Sequence, residues 1–348
     1  MGKKEANIMS KPEKSTNHSS YAQTLAGRAI LLEIGARLGI LDPLMSNDSV
    51  SVMDIASSTG VKESFVSAYY AATSRAGLAL ACSENGEDVS HYKAAPDIHE
   101  SINEVGYILW GTVSCAPLIS NAHSFSLDML SAVGQYTRDG EHVARTSKWM
   151  GERDFYPHAR NAIVSASPDK IVDLGSGTCG LLIHCLQQLP HASGVGIDIN
   201  KAACSKARTI VRRAGMENRI SIIEAPIQTL ITDPTPIQGA GVIHAGFVFH
   251  DLLPDEEANL DKLLQTFRKY APNGILIVVD AIPYADDNTE KAFSAALTFL
   301  HTHFMGRRFL TEIEWKNKLA ALGYRNVIVN QLGLSGGRIF IARPTSSD

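Results

Sequence analysis

Residues 170–200 read KIVDLGSGTCGLLIHCLQQLPHASGVGIDIN. Ile171 to Leu174 form an apolar run of the length of one buried strand, and Gly175, Gly177 and Gly180 follow it as G-x-G-x-x-G. An amphipathic helix is predicted from Leu181 to about Leu189. A second apolar strand, Gly194 to Ile197, ends in Asp198. The glycines let the backbone come close to a nucleotide-like ligand, and a carboxylate ending the second strand is placed to accept hydrogen bonds from ribose hydroxyls. A dinucleotide fold carries the same glycines. Asp173, two residues before Gly175, separates the two cases. A carboxylate there suits the amino group of an amino-acid-like ligand, directly or through water, and does not suit a pyrophosphate.

Downstream, strands and helices alternate, which implies a mainly parallel sheet. A helix is expected from Lys201 to about Ala214, a third strand over Arg219–Ile223, and a fourth over Gly241–Phe249 that ends at His250-Asp251. Pro254 to Ala271 reads as a helix whose first turn holds Asp255, Glu256 and Glu257, suiting its dipole. A fifth strand, Gly274–Val279, ends at Asp280. A long helix is predicted over about Thr289–Phe304, and Thr311 caps another that Gly323 closes. Two last strands, Asn326–Leu332 and Arg338–Ala342, are joined through Ser335-Gly336-Gly337.

Upstream, Tyr21–Leu44 reads as a helix and a turn, and Val52–Leu80 as helix-turn-helix. The polar run Ser83–Ser90, centred on Asn85-Gly86, reads as a hairpin turn, which completes a winged-helix pattern. Its second helix, ESFVSAYYAATSRAG, has one Arg and one Glu, too little cationic or amide character to read DNA. The net charge of −4 likewise gives no reason to expect nucleic acid. Ile102–Ser131 is predicted mostly helical, interrupted near Pro117. Its Tyr107 and Trp110, followed by Gln135, Tyr136, Arg138 and Arg145, are the candidates for lining a pocket.

At 348 residues, 45% hydrophobic and 20% charged, the chain has material for two soluble domains. It has no apolar run of membrane-spanning length, and its first twenty residues have no apolar core for a signal peptide. Five cysteines without a C-x-x-C pair read as free thiols in a reducing cytoplasm. The expected division is a disordered leader (1–20), a winged-helix dimerisation domain (21–100), a helical linker and pocket lid (101–160) and a catalytic domain (161–348).

VDLGSGTCG, GIDIN and FVFHDLLPDEEANLDKLLQTFRKYAPNGILIVVD, set behind a winged helix, resemble the small-molecule O-methyltransferases that use S-adenosylmethionine. Five parallel strands closed by a hairpin that inserts an antiparallel strand is the order of the class I methyltransferase sheet, an α/β fold. The resemblance implies that Asp173, Gly175 and Gly177 hold the methionine part of the cofactor, Asp198 the ribose, and Pro226 and Ile227 the adenine side. It also implies a homodimer. Within it, His250 is a general base for a substrate hydroxyl.

A second reading starts from ALTFLHTHFMGRR, which brings His301 and His303 toward the same edge of the sheet. His250, Asp251 and His303 would make a 2-His-1-carboxylate site for non-haem iron. That set resembles the α-keto acid C-methyltransferases, such as those for phenylpyruvate and 2-ketoarginine. Trp110 and Arg138 match their pocket Trp and Arg, with Arg138 pairing a substrate carboxylate. Residues two apart do not share a helix face, so only one of the two histidines can be a ligand, and His303 is the expected one.

Overall fold

A computed structural model describes residues 18–82, 90–286 and 291–345. The expected leader lies almost wholly outside these residues, as does the hairpin turn after Cys82. The chain divides into two compact units at Ile108–Leu109.

The first unit holds α1 (His18–Arg37), α2 (Leu41–Ser46), α3 (Val52–Thr59), α4 (Glu63–Arg75) and α5 (Ile98–Leu109). Three short strands, β1 (Val50–Ser51), β2 (Ala79–Cys82) and β3 (His91–Ala94), pair antiparallel in the order β1-β3-β2. The helix-turn-helix reading holds. The Ser51 side chain caps α3 by accepting from the Asp54 amide, and Gly60 ends it in the left-handed conformation. Val66, Tyr69, Tyr70 and Thr73 of α4 are buried, a 3.6-residue stripe, and the Tyr70 hydroxyl donates to the Ile40 carbonyl.

The second unit is built on a seven-stranded sheet: β4 (Lys170–Leu174), β5 (Ser193–Asp198), β6 (Ile220–Glu224), β7 (Val242–Gly246), β8 (Ile275–Ala281), β9 (Tyr324–Gln331) and β10 (Gly337–Pro344). The order is β6-β5-β4-β7-β8-β10-β9. The first five are parallel, and β10 inserts antiparallel between β8 and β9. This is the expected class I methyltransferase α/β sheet. Every residue of β8 is buried, as a central strand covered on both faces requires.

Among the described residues ten α-helices complete the unit. They are α6 (Ala116–Ile119), α7 (Ala122–Leu127), α8 (Met129–Val133), α9 (Gly140–Asp154), α10 (Tyr156–Ala166), α11 (Gly180–Gln188), α12 (Lys201–Arg213), α13 (Glu257–Tyr270), α14 (Ala292–Phe304) and α15 (Glu312–Ala321). Leu260, Leu263, Leu264 and Phe267 form the buried stripe of α13 and join Trp315, Leu319 and Phe340 in one core. Burial of each such side chain contributes about 1.5–3 kcal/mol. Thr311 and Glu314 form a reciprocal capping box on α15.

Several boundaries differ from the sequence reading, three of them near the site. β7 stops at Gly246 rather than Phe249, because Phe247 adopts φ 54° and turns the chain out of the ladder. α13 starts at Glu257 rather than Pro254, the Glu256 carboxylate being drawn to the side-chain amides of Gln228 and Asn259, both at 2.9 Å. The break in the helices after Ile102 begins before Pro117, with a π-helical turn over Trp110–Ser114.

Candidate active site

The strands β4, β5, β6, β7 and β8 deliver their carboxyl ends to one edge of the sheet, where α/β folds place ligands. The glycine turn leaves β4 there. Gly175 has φ 67°, and a Cβ on it would lie 2.3 Å from a Val248 methyl, so no other residue fits without movement. Gly196 of β5 lies under the turn, where a Cβ would meet the Cys179 sulfur and the Ser176 hydroxyl at 2.7 Å.

Asp198, half-buried, ends β5. Its Oδ2 accepts from the Gly177 amide at 2.8 Å and its Oδ1 from the Asn200 amide at 2.7 Å. A carboxylate has about four lone-pair directions, so two remain for a vicinal diol. The Ala225 amide donates to the Asp198 carbonyl at 3.0 Å, which brings Pro226 and the buried Ile227 beside it. This carboxylate acceptor, with open space at Gly177, fits the ribose and adenine side of S-adenosylmethionine.

Asp173 is buried, and its Oδ1 pairs with Nδ1 of His244 on β7 at 2.7 Å. The two are register partners on adjacent strands. The sequence reading missed His244. Its signal was a lone polar residue in an apolar strand.

His250 lies in a 3-10 turn, Phe249–Leu252, that follows β7. Its Nδ1 lies 2.8 Å from Oδ1 of Asp280 at the end of β8, and both residues are buried. Asp280 Oδ1 also accepts from the Ala281 amide at 2.9 Å, which fixes its orientation. The imidazole therefore donates from Nδ1, leaving Nε2 as its second site. Burial acts to lower the His250 pKa, but the Asp280 and then the Asp251 carboxylates outweigh it and hold it above the ordinary value. Asp280 was not among the expected site residues, although a carboxylate ending the fifth strand was visible in the sequence.

Of the two late histidines, the structure brings His301 to His250, not His303. The His301 ring meets the His250 ring edge-on at 5.2 Å, lies flat against Trp110 at 5.9 Å, and packs on Phe309 at 4.6 Å. His303 is exposed and leans on Phe299 at 4.8 Å. Two residues along a helix is about 200° of rotation, so burying His301 turns His303 outward. His301 donates Nδ1–H to the Leu297 carbonyl at 2.7 Å. Burial, with the His250 and Arg138 charges, holds its pKa well below the usual histidine range, so it stays neutral.

The iron triad of His250, Asp251 and His303 is therefore not assembled. Asp251 is about half exposed, with its Oδ1 3.8 Å from His250 Nε2 and 3.7 Å from Arg307 Nε. Among the described residues no three His, Cys, Asp or Glu side chains are gathered as metal ligands. These residues do not fit the metal that the sequence suggested.

Trp110, in the π-turn, packs on His301 and on the edge of Phe293 at 5.7 Å. Arg138 follows α8 in a segment tied back to the same turn by the Asp139 amide, which donates to the Ser114 carbonyl at 3.0 Å. Its guanidinium is half-buried and makes no hydrogen bond or ion pair among the described residues. Its charge acts on His250, His301 and Cys115. All five cysteines are free.

The sheet order is that of the class I methyltransferase fold. A family profile described as "Methyltransferase domain" matches residues 165–321. The 3-hydroxy-5-methyl-1-naphthoate 3-O-methyltransferase of Streptomyces sahachiroi is 28% identical over 129 residues, which is 37% of this chain and 35% of that protein. The aligned part thus spans about a third of that relative's length.

The fold is similar to that of human N-acetylserotonin methyltransferase in complex with S-adenosylmethionine, with a TM-score of 0.58 at 14% identity, covering 97% of this chain and 99% of that one. It is also similar to the mitomycin 7-O-methyltransferase MmcR, with a TM-score of 0.55 at 16% identity, covering 94% of this chain and 97% of that one. Both likenesses are of fold and run over nearly the whole of this chain.

Proposed function

We propose that this protein methylates a hydroxyl of a small aromatic metabolite, with His250 as the general base. The observation that carries this reading is the buried His250–Asp280 pair at 2.8 Å, at the edge that also holds Asp198. S-adenosylmethionine, when bound, supplies an electrophilic methyl group on a sulfonium. The chain's part is to take one proton and to hold the acceptor oxygen. Asp280 fixes the Nδ1–H tautomer, so Nε2 carries the lone pair that receives the hydroxyl proton. The oxygen is then the nucleophile, and the imidazolium that forms is stabilised by Asp280 and Asp251.

Arg138 supports an acceptor with an anionic group, because a half-buried guanidinium with no hydrogen bond or ion pair among the described residues, whose charge acts on His250 and His301, suits a carboxylate. The Streptomyces relative is named for a naphthoate, a hydroxylated aromatic acid. Cofactor binding through Asp198, with Gly175, Gly177, Pro226 and Ile227 around it, belongs to the same reading. The narrower alternative, iron-assisted C-methylation of an α-keto acid, loses its support with the outward turn of His303. We also infer a homodimer through the first unit, where Ile30, Met53 and Phe65 stand exposed. Among the described residues no helix is long and apolar enough to cross a membrane.

The test is His250→Gln in the full chain. Methyl transfer to a hydroxyarene should fall about 10²-fold or more, with the dissociation constant for S-adenosylmethionine unchanged. A variant that keeps the wild-type rate would remove His250 as the base.

A further inference from the structure

His244 and Asp173 form a second buried imidazole–carboxylate pair, at the amino-acid end of the cofactor edge rather than at the base. Asp173 and His244 are each 4% exposed, and their pairing spans adjacent strands at 2.7 Å. Among the described residues Asp173 makes no ion pair with Lys or Arg, and its side-chain partner is the His244 imidazole. Nε2 of His244 is buried and has no hydrogen-bond partner among the described residues. With no acceptor at Nε2, the ring's donor is Nδ1–H, facing the Asp173 carboxylate. The chain also makes room for the ring: at Gly246 a Cβ would lie 3.0 Å from His244 Cε1.

A buried carboxylate two residues before Gly175, with no Lys or Arg ion pair among the described residues, is open to a cationic ligand. An amino-acid ligand carries such a cation in its ammonium group. We propose that His244 is a positioning residue for the cofactor: it holds Asp173 through Nδ1–H, so that the pair receives the ammonium of the methionine end of S-adenosylmethionine. This rests on the methyltransferase reading and adds to it a residue outside the glycine turn. The hydroxyl acceptor and the His250 pair take no part.

The donor position makes the idea testable in the full-length protein by calorimetric titration with S-adenosylmethionine and S-adenosylhomocysteine, without an acceptor. His244→Asn keeps an N–H near the position of Nδ1 and should bind both ligands within about threefold of wild type. His244→Gln places its amide one bond further out, near the position of Nε2, and should weaken both about tenfold or more. In an Asp173→Asn background the Gln substitution should add little, since the charge it orients is gone.

Melting temperatures of the variants, read alongside, separate loss of fold from loss of affinity. Equal binding by the Asn and Gln variants, strong or weak, would overturn the positioning role and leave the ring as filling. Wild-type protein that binds neither ligand would instead sink the cofactor reading itself.

Discussion

Asp280→Asn isolates what the carboxylate contributes to the base. In the structure Asp280 Oδ1 accepts from two donors, His250 Nδ1–H at 2.8 Å and the Ala281 amide at 2.9 Å. An asparagine oxygen can accept from the same two, so the tautomer and ring orientation survive and only the charge is lost. A hydrogen bond to a charged group contributes roughly 1.5–3 kcal/mol, and at about 1.4 kcal/mol per decade kcat/KM should fall about 10- to 100-fold.

The pH profile carries the sharper expectation. In the wild type His250 is held above its ordinary value, so it is protonated and inactive below that raised pKa and activity climbs as pH passes above it. Without the carboxylate, burial dominates and the pKa drops. The acid limb of kcat/KM should therefore move to lower pH, and the variant's deficit should be smallest under acidic conditions. Initial rates of labelled methyl transfer across a pH series read both effects. An acid limb that stays in place or moves upward in Asp280→Asn would refute the assignment of Asp280 as partner of the base, whatever the rate.

His303→Ala should leave cofactor affinity and turnover within about twofold of wild type, since exposed substitutions away from a site have small effects. His301→Ala, which leaves a cavity between Trp110, Phe309 and His250, should lower kcat; steady-state kinetics of the two side by side decide, and the reverse order would restore the iron reading. Arg138→Gln should raise KM about tenfold for a hydroxylated aromatic carboxylate and leave its neutral amide little changed. Equal effects on both acceptors would mean that Arg138 meets no anion.

Local chemistry was legible in the sequence where one short segment makes a whole device. The glycine turn, the carboxylate ending β5 and the terminal hairpin are all of this kind, and the fold followed from them. The site was legible only in part, because its pairs join residues far apart in sequence. Asp280 meets His250 through the β7–β8 register, in which Gly246 lies opposite Val279. His244 meets Asp173 through the β4–β7 register. Neither register can be read from strand composition. The choice between His301 and His303 depended on which face of α14 packs on Trp110 and Phe309, and two histidines in a final turn give no sign of that phase. The apolar side chains before them, Leu297 and Leu300, are buried, as His301 is.

The chemistry at the acceptor atom is the central claim, and the most direct measurement is the position of the transferred methyl. Full-length protein, dialysed against a chelator, would be incubated with S-adenosylmethionine labelled with ¹³C at the methyl, together with hydroxyarene carboxylates and α-keto acids, and the products read by carbon NMR and mass. The account predicts a label on oxygen, from a hydroxyarene, at a rate the chelator does not change. A label on the β-carbon of a keto acid, or turnover lost on chelation and regained with iron, would contradict it.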